Sequence, residues 1–89
     1  MLQSVKSSVR IINDKFDSEL TDLIESAKMD LLIAGVAKTD EADPLIKRAI
    51  ILYCKANFGL DNKDSEKYQK SYEILKEKLS LCGDYNNVE

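Results

Sequence analysis

The sequence contains no histidine, so it lacks the commonest general base and the commonest metal ligand of enzymes. It also lacks a glycine-rich phosphate-binding loop, a His-Glu-x-x-His zinc motif and a Cys-x-x-Cys pair. No histidine is available to activate Cys54 as a nucleophile. We therefore expect no enzymatic activity, no cofactor and no metal site.

The sequence has only two cysteines, Cys54 and Cys82, and no long apolar run. A membrane span needs about 20 consecutive apolar residues, and a secretory signal also needs an apolar segment. We therefore expect a protein that is intracellular when made and has no membrane span. Its two thiols are expected to be unpaired and to act as small apolar side chains. A disulfide between two helices is the alternative.

One proline and three glycines among 89 residues are few, which suits long regular elements. The length allows one small domain. The formal net charge is −3, and charges of both signs are spread along the chain. Affinity for nucleic acid depends on a basic patch that neutralises phosphates. This balance therefore argues against nucleic acid as a direct ligand and favours a solvated surface.

The clearest helix runs from Asp43 to Gly59. Asp43 is suited to cap the first free N–H groups, and Pro44 fits the first helical position, where its missing N–H costs nothing. Gly59 suits the left-handed conformation that closes a last turn. Most residues between these ends are apolar over a wide arc, which is typical of a buried helix.

A second helix is predicted up to Ala34, with either Asp14 or Asp17 as its N-cap and Gly35 as its stop. Acidic residues load its first turns, where the helix dipole favours negative charge. Apolar residues at 3.6-residue spacing form the face that we expect to pack inward. They are Phe16, Leu20, Leu23, Ile24, Ala27, Leu31 and Ala34.

Two further helices complete the pattern. Residues 1–12 favour a short amphipathic helix, although the β-branched end from Val9 to Ile12 could be extended. A last helix is predicted from about Lys63 to Cys82, with Gly83 as its stop. The apolar stripes of these two helices are Leu2, Val5, Val9 and Ile12 on the first, and Tyr68, Tyr72, Leu75, Leu79 and Cys82 on the last.

These segments predict an all-α fold, a small bundle of three main helices plus a short N-terminal helix. Residues 1–83 are predicted to form a single helical domain. Residues 84–89 have little to bury and are predicted to form a flexible C-terminal tail.

The connection at residues 36–42 is predicted to be a loop, and its acidic part, residues 39–41, lacks apolar anchors and is expected to be exposed and mobile. Three carboxylates in and beside it, those of Asp40, Glu41 and Asp43, could bind a divalent cation through oxygen. They lack the glycine and the spacing of a calcium loop. A solvated loop that leads to a helix cap is therefore favoured.

Two patterns raise the question of nucleic-acid binding. Tyr53, Tyr68 and Tyr72 could form a stacking platform for bases, but their helical spacing on apolar faces is typical of core residues with hydroxyls at the rim. The last two helices could form a helix-turn-helix, although glutamates dilute the positive field of the final helix. Its lysines are Lys67, Lys70, Lys76 and Lys78, and its glutamates are Glu66, Glu73 and Glu77.

Three stretches carry a resemblance to a known family. They are Asp17-x-Glu19-Leu20-x-x-Leu23-Ile24-x-x-Ala27-Lys28-x-Asp30-Leu31, the whole of Asp43 to Gly59, and Tyr68-Gln69-Lys70-Ser71-Tyr72-x-x-Leu75-Lys76-x-x-Leu79 through Gly83-Asp84-Tyr85. Over nearly its whole length the chain resembles the small head–tail connector (adaptor) proteins of long-tailed bacteriophages and related prophages.

The resemblance implies a structural virion protein without enzymatic activity. It implies a ring, dodecameric on the virion, that lies below the portal, extends the DNA channel and joins the capsid to the tail. The implied partners are further copies of the chain, the portal protein and the next head-completion or tail protein, while DNA passes through the channel without specific binding. The implied location is the head–tail junction of the virion, and the host cytoplasm during assembly. A small helical regulatory or DNA-binding protein is the alternative.

Some adaptors carry a longer C-terminal segment that docks on the portal, whereas a short tail follows Gly83 in this sequence. Its apolar residues, Tyr85 and Val88, are the candidates for portal docking. We expect the tail to be mobile in the free protein, so that its deletion leaves the melting temperature nearly unchanged.

Two sets of apolar residues lie off the predicted core faces. They are Met29, Leu32 and Ile33 on the second helix, and Ile51 and Phe58 within the arc of the central helix that Lys47, Arg48 and Lys55 mark. A ring needs contact between two different patches, and apolar clusters rimmed by charge are typical of interfaces. The five apolar residues are therefore candidates for the subunit or partner interface. The alternative is that the N-terminal helix or the last helix covers both sets.

Overall fold

Residues 1–58 and 63–86 are described by a computed structural model, in which they form five helices. The helices are α1 (Leu2–Ser8), α2 (Asp17–Ile33), α3 (Pro44–Asn57), α4 (Ser65–Leu81) and α5 (Gly83–Asn86). The predicted all-α bundle of three main helices and a short N-terminal helix is confirmed. The short helix α5 is an addition that the sequence did not predict.

Helix α3 lies at the centre of the bundle, because α1, α2 and α4 all pack against it. Its buried residues are Ile46, Ala49, Ile50, Leu52 and Cys54. They meet Leu20, Ile24, Ala27 and Leu31 of α2 and Tyr72 and Leu79 of α4 in one core. The predicted inward faces of α2 and α4 are therefore confirmed, and the nearly all-apolar helix is the buried one, as its composition indicates.

The start of α3 has the predicted cap. The carboxylate of Asp43 accepts hydrogen bonds from the N–H groups of Leu45 at 2.9 Å and Ile46 at 3.4 Å, and Pro44 occupies the first helical position. The helix ends at Asn57, and Phe58 is already extended, with φ −74° and ψ 123°. The predicted stop at Gly59 lies outside the described residues.

The end of α2 follows the predicted glycine stop. Gly35 has φ +101°, its N–H donates to the Leu32 carbonyl at 3.0 Å, and the Val36 N–H donates to the Leu31 carbonyl at 2.8 Å. This is the Schellman pattern, in which the left-handed residue returns two N–H groups to the last helical carbonyls. Leu31 and Val36 are both fully buried, so the same turn anchors the following loop in the core.

The predicted N-cap of α2 is wrong. The cap position is Phe16, and neither Asp14 nor Asp17 caps the helix with its side chain. Both carboxylates instead bind the ammonium group of Lys6, which is almost fully buried, at 3.0 Å and 2.9 Å. The carboxylates of Asp17 and Asp14 raise the pKa of Lys6 above its ordinary value. They are thereby committed to holding α1 on the start of α2.

Helix α1 is shorter than predicted. It ends at Ser8, and Arg10 takes a left-handed conformation with φ +61°. The Ile11 N–H then donates to the Lys6 carbonyl at 2.9 Å. This turn leaves Ile12 almost fully exposed, so the apolar stripe of α1 stops at Val9.

The tyrosines of α3 and α4 belong to the core, as their spacing indicates. Tyr72 is fully buried, and its ring meets that of Tyr53 edge to face with centroids 5.2 Å apart. Its hydroxyl donates to the Asp30 carboxylate at 2.6 Å, which links α4 to α2. Tyr68 is half-buried, with the ammonium of Lys55 4.5 Å from its ring centroid. The faces that a base would stack on are therefore covered for Tyr72 and contacted by protein for the other two.

The loop between α2 and α3 has contacts near both of its ends, while the mobility expected for residues 39–41 stays a prediction. Val36 anchors its start, and the carboxylate of Glu41 pairs with Lys28 near its end. Within residues 1–58 and 63–86, no group of three or more metal-ligating side chains is placed to hold a metal ion. The carboxylate of Asp43 is already bound by N–H groups and side chains, which leaves it unsuited to the cation site considered above.

Both thiols are unpaired, as predicted, with Cys54 buried and Cys82 half-buried. Burial raises the pKa of the Cys54 thiol to about 12, so it stays protonated and unreactive at neutral pH. No helix within the described ranges has the length and apolarity to span a membrane.

Candidate interaction surfaces

The outer side of α2 carries an exposed apolar patch near its C-terminal end. Met29, Leu32 and Ile33 are 57%, 47% and 79% exposed, and we call them the α2 apolar patch. They lie on the side of the helix opposite Leu31 and Ala27, as the 3.6-residue period predicts. No helix of the described residues covers these three side chains. The alternative that the N-terminal helix or the last helix covers them is therefore wrong.

Phe58 is a correction to the predicted surface. It is only 6% exposed, and its ring meets that of Phe16 edge to face with centroids 5.4 Å apart. The prediction placed it by continuing the helical projection past Asn57, where the helix has already ended. Phe16, which covers Phe58, lies directly before α2 and belongs to neither α1 nor α4. Phe58 is therefore part of the subunit's own core.

Ile51 is half-buried and packs at the edge of the core. Viewed along the helix axis, Ile51 falls between two exposed basic residues of α3, Lys47 and Arg48. We call these two residues the α3 basic face. No carboxylate of the described residues pairs with either of them. The third member of the predicted charged arc, Lys55, is half-buried against the ring of Tyr68. The exposed positive charge of α3 is thus concentrated near its N-terminal end.

The opposite charge lies on the N-terminal half of α2. Glu19 and Asp22 are exposed, and neither has an ion-pair partner in the part of the chain that the structure describes. We call these two residues the α2 acidic face. From sequence they were interpreted only as favourable to the helix dipole. The sequence alone does not show that these two acids stay unpaired, because Asp17 and Asp30 of the same helix are neutralised by Lys6 and Lys76 of other helices.

Helix α4 does not have the charge pattern of a recognition helix. The ammonium of Lys76 is bound to the carboxylates of Asp30 at 3.1 Å and Glu73 at 2.9 Å, and it lies 5.1 Å from the centroid of the Tyr72 ring. It is therefore engaged within the subunit. The remaining lysines share an exposed surface with Glu66 and Glu77, which lowers the positive field that phosphates require.

Three exposed apolar side chains were missed by the sequence analysis: Leu45, Ile74 and Leu81. At 3.6 residues per turn, Ile74 and Leu81 lie on the side of α4 opposite its buried residues Tyr72 and Leu79. The spacing of apolar residues could therefore have predicted that these two side chains are exposed. A methyl group placed on Gly35 would lie 4.0 Å from the Cβ of Ser80, so the ends of α2 and α4 are neighbours. Ile33 and Leu81 are the exposed apolar residues near these two ends.

The C-terminal segment is docked on the body of the subunit through Tyr85. The Tyr85 hydroxyl donates to the Asp43 carboxylate at 3.0 Å. Its carbonyl accepts from the N–H groups of Ala37 at 2.8 Å and Lys38 at 3.1 Å. The ammonium of Lys38 lies 3.3 Å from the Asp43 carboxylate and 5.4 Å from the Tyr85 ring centroid.

These contacts hold the described part of the predicted tail on the body of the subunit, while the division into a domain of residues 1–83 and a flexible tail of residues 84–89 stays a prediction. Gly83 begins α5 instead of ending the fold, and residues 84–86 are held by contacts far away in sequence. Val88, the second candidate for portal docking, lies outside the described residues. Its role stays a prediction.

The carboxyl groups of Asp43, Asp30 and Glu41 have pKa values below their ordinary ones. Burial opposes ionisation of Asp43 and of Asp30, but hydrogen bonds outweigh it: from Leu45, Tyr85, Ile46 and Lys38 for Asp43, and from Tyr72 and Lys76 for Asp30. The hydrogen bond from Lys28 holds the pKa of Glu41 below its ordinary value. All three groups therefore favour the folded state when they are ionised.

The lowered pKa values predict acid sensitivity. Because the folded pKa values lie below the ordinary values of 3.8 for Asp30 and Asp43 and 4.5 for Glu41, their contribution is fully present above those values. It is lost as the pH falls through the folded pKa values. We expect the melting temperature to be nearly constant from about pH 7 to pH 5 and to fall below about pH 4. Asp43→Asn should flatten that fall, and a wild-type profile that stays level down to about pH 2 would contradict the prediction.

The model of the phage connector protein family matches residues 1–86 of the chain, a range that includes all five helices. Neither a curated protein nor a solved structure matches it.

Proposed function

Because the chain belongs to the phage connector protein family, we propose that it is a head–tail connector (adaptor) that forms a ring below the portal and joins the capsid to the tail. The family makes it a structural component of the virion that associates with other virion proteins. The proposal adds the ring, dodecameric on the virion, its position, and its partners: the portal protein and the next head-completion or tail protein. DNA passes through the channel of this ring without specific binding.

The observation that supports the ring is the α2 apolar patch. Three large apolar side chains on one turn of a small domain are exposed, although the same helix buries Leu31 fully on its other side. Exposed apolar clusters rimmed by charge are typical of interaction sites, and a ring requires contact between two different patches of identical subunits. We assign Met29, Leu32 and Ile33 to the subunit interface, together with the exposed part of Ile51.

The proposed test replaces Leu32 by aspartate. Leu32 is about half exposed in the subunit, so the variant should melt cooperatively near the wild-type temperature. A charge buried in an apolar interface without a partner is costly, so the variant should lose ring formation on the portal. The purified chain is mixed with the portal. Electron microscopy then shows whether rings form, and native mass spectrometry gives the number of subunits in each ring.

The matched control is Ile74→Asp. Ile74 is 49% exposed, which is close to the value for Leu32, but it lies on α4 and outside the patch. We expect it to form rings as the wild type does. Rings from a well-folded Leu32→Asp variant would show that the interface assignment is wrong. A wild type that forms no ring on the portal would contradict the proposed function itself.

Portal docking by the C-terminal segment is part of the proposal. Tyr85 is engaged by Asp43 in the subunit, so its use in docking would require release of that contact. We propose Val88, for its apolar side chain, as one docking residue, and Tyr85 as a second one that becomes available only if α5 detaches.

A further inference from the structure

Helices α2 and α3 have opposite charges, and both charges are strongly biased. Helix α3 carries three basic residues and no acidic one, whereas α2 carries five acidic residues and one basic one. The two helices pack against each other through apolar residues. Their charged sides therefore point away from this contact, and the charges do not neutralise one another within the subunit.

Most of these charges are used inside the subunit. Asp17 pairs with Lys6, Asp30 with Lys76, and Glu25 with Lys28. What is left over on α2, among the described residues, is the α2 acidic face, Glu19 and Asp22. What is left over on α3 is the α3 basic face, Lys47 and Arg48. The subunit thus presents two exposed negative charges on one helix and two exposed positive charges on another.

Each charged face adjoins exposed apolar surface. The α2 apolar patch follows the α2 acidic face along the same side of α2. On α3, Ile51 lies within the basic arc, and the exposed Leu45 precedes Lys47 and Arg48. Both surfaces combine apolar residues with unpaired charge of one sign, and the signs are opposite. A second copy of the chain can satisfy both surfaces at once.

We propose that, in the ring, the α2 acidic face of one copy docks on the α3 basic face of the next, with the α2 apolar patch against Ile51 and Leu45. This inference rests on the proposed ring and names the two surfaces that form it. A contact between two different surfaces repeats head to tail, and it gives a ring when the rotation from one copy to the next closes. Opposite potentials on the two surfaces fix which side meets which, since like charges in the wrong register repel.

The arrangement makes assembly dependent on salt and on the signs of four side chains. Exposed charge pairs are screened at high ionic strength, so subunit association should weaken as sodium chloride is raised. The sharper test reverses each face separately, as Glu19→Lys with Asp22→Lys, and as Lys47→Glu with Arg48→Glu. All four side chains are exposed, so both variants should keep the helical circular dichroism and the melting temperature of the wild type within a few degrees.

Each reversed variant alone presents two surfaces of the same sign and should not assemble. We expect its subunit dissociation constant to rise at least about tenfold, because like charges across an interface are strongly unfavourable. Mixed in equal amounts, the two variants should assemble again in alternation, since every junction then joins opposite signs. Lys67→Glu with Lys70→Glu on α4 is the matched control and should assemble as the wild type does.

Native mass spectrometry and electron microscopy, with and without the portal, give the readout. Restored rings in the mixture but not in either variant support the inference. Wild-type assembly by a reversed variant, or a mixture that stays unassembled, overturns it. In either case rings of the wild type on the portal leave the proposed function standing. A wild type that forms rings neither alone nor on the portal removes the proposed function and this inference together.

Discussion

Replacement of Tyr72 by alanine is expected to lower the free energy of unfolding by about 3–5 kcal/mol, the usual cost of removing a buried aromatic ring. Tyr72 is the largest fully buried side chain among the described residues. It packs edge to face on Tyr53 and hydrogen-bonds to Asp30. An 89-residue domain has a total stability of about 5–13 kcal/mol. The variant should therefore lose roughly a quarter or more of the stability of the subunit and melt well below the wild type.

Two further variants separate the ring from the hydroxyl. Tyr72→Phe keeps the ring and removes one hydrogen bond to a carboxylate that Lys76 still binds at 3.1 Å, so we expect a loss of about 1–3 kcal/mol. Tyr68→Ala is the matched control, because Tyr68 is on the same helix face but only half-buried. Chemical and thermal denaturation followed by circular dichroism measure all three. If Tyr72→Ala and Tyr68→Ala have the same midpoint, the central role given to Tyr72 is wrong.

The helices and their inner faces could be predicted because both depend on local sequence. The 3.6-residue spacing of apolar residues placed Leu20, Ile24 and Leu31 on one face, and their burial confirms it. The Asp43 cap and the Gly35 stop were predictable for the same reason. Each acts on N–H or carbonyl groups only a few residues away.

The errors come from contacts between residues that are distant in sequence. Phe58 is covered by Phe16, and Tyr85 is bound by Asp43, in each case across 42 positions. Periodicity within one segment carries no information about such pairs. Lys6 is a similar case, because a lysine reads as an exposed residue until the structure places two carboxylates around its ammonium group.

The candidate interface likewise has one part that depends on local sequence and one part that depends on contacts between distant residues. The α2 apolar patch was predictable, because it requires only that Met29, Leu32 and Ile33 oppose the core face of their own helix. The α2 acidic face was not, because the sequence alone does not show which acids of α2 are neutralised. Asp17 and Asp30 are paired with lysines of α1 and α4, whereas Glu19 and Asp22 are not paired with any described residue.

Deletion of residues 84–89 is expected to destabilise the subunit, which reverses the prediction from sequence. The deletion removes Tyr85, whose carbonyl accepts from the N–H groups of Ala37 and Lys38 and whose hydroxyl donates to Asp43. A lost hydrogen bond that leaves a buried partner unsatisfied costs about 1–3 kcal/mol. Since the partners lie near the surface, we expect a total of about 2 kcal/mol. In a domain of this size that corresponds to a fall in melting temperature of roughly 10 °C.

A shorter deletion, of residues 87–89 only, is the matched control for this prediction and also tests the docking role of Val88. It leaves every described contact of Tyr85 in place, so the melting temperature should match that of the full chain. If Val88 docks on the portal, this variant should bind the portal more weakly although its subunit is as stable as before. Differential scanning calorimetry and a portal pull-down measure the two properties separately. An unchanged melting temperature after deletion of residues 84–89 would show that the Tyr85 contacts add nothing to stability, and full portal binding after deletion of residues 87–89 would remove Val88 from the docking surface.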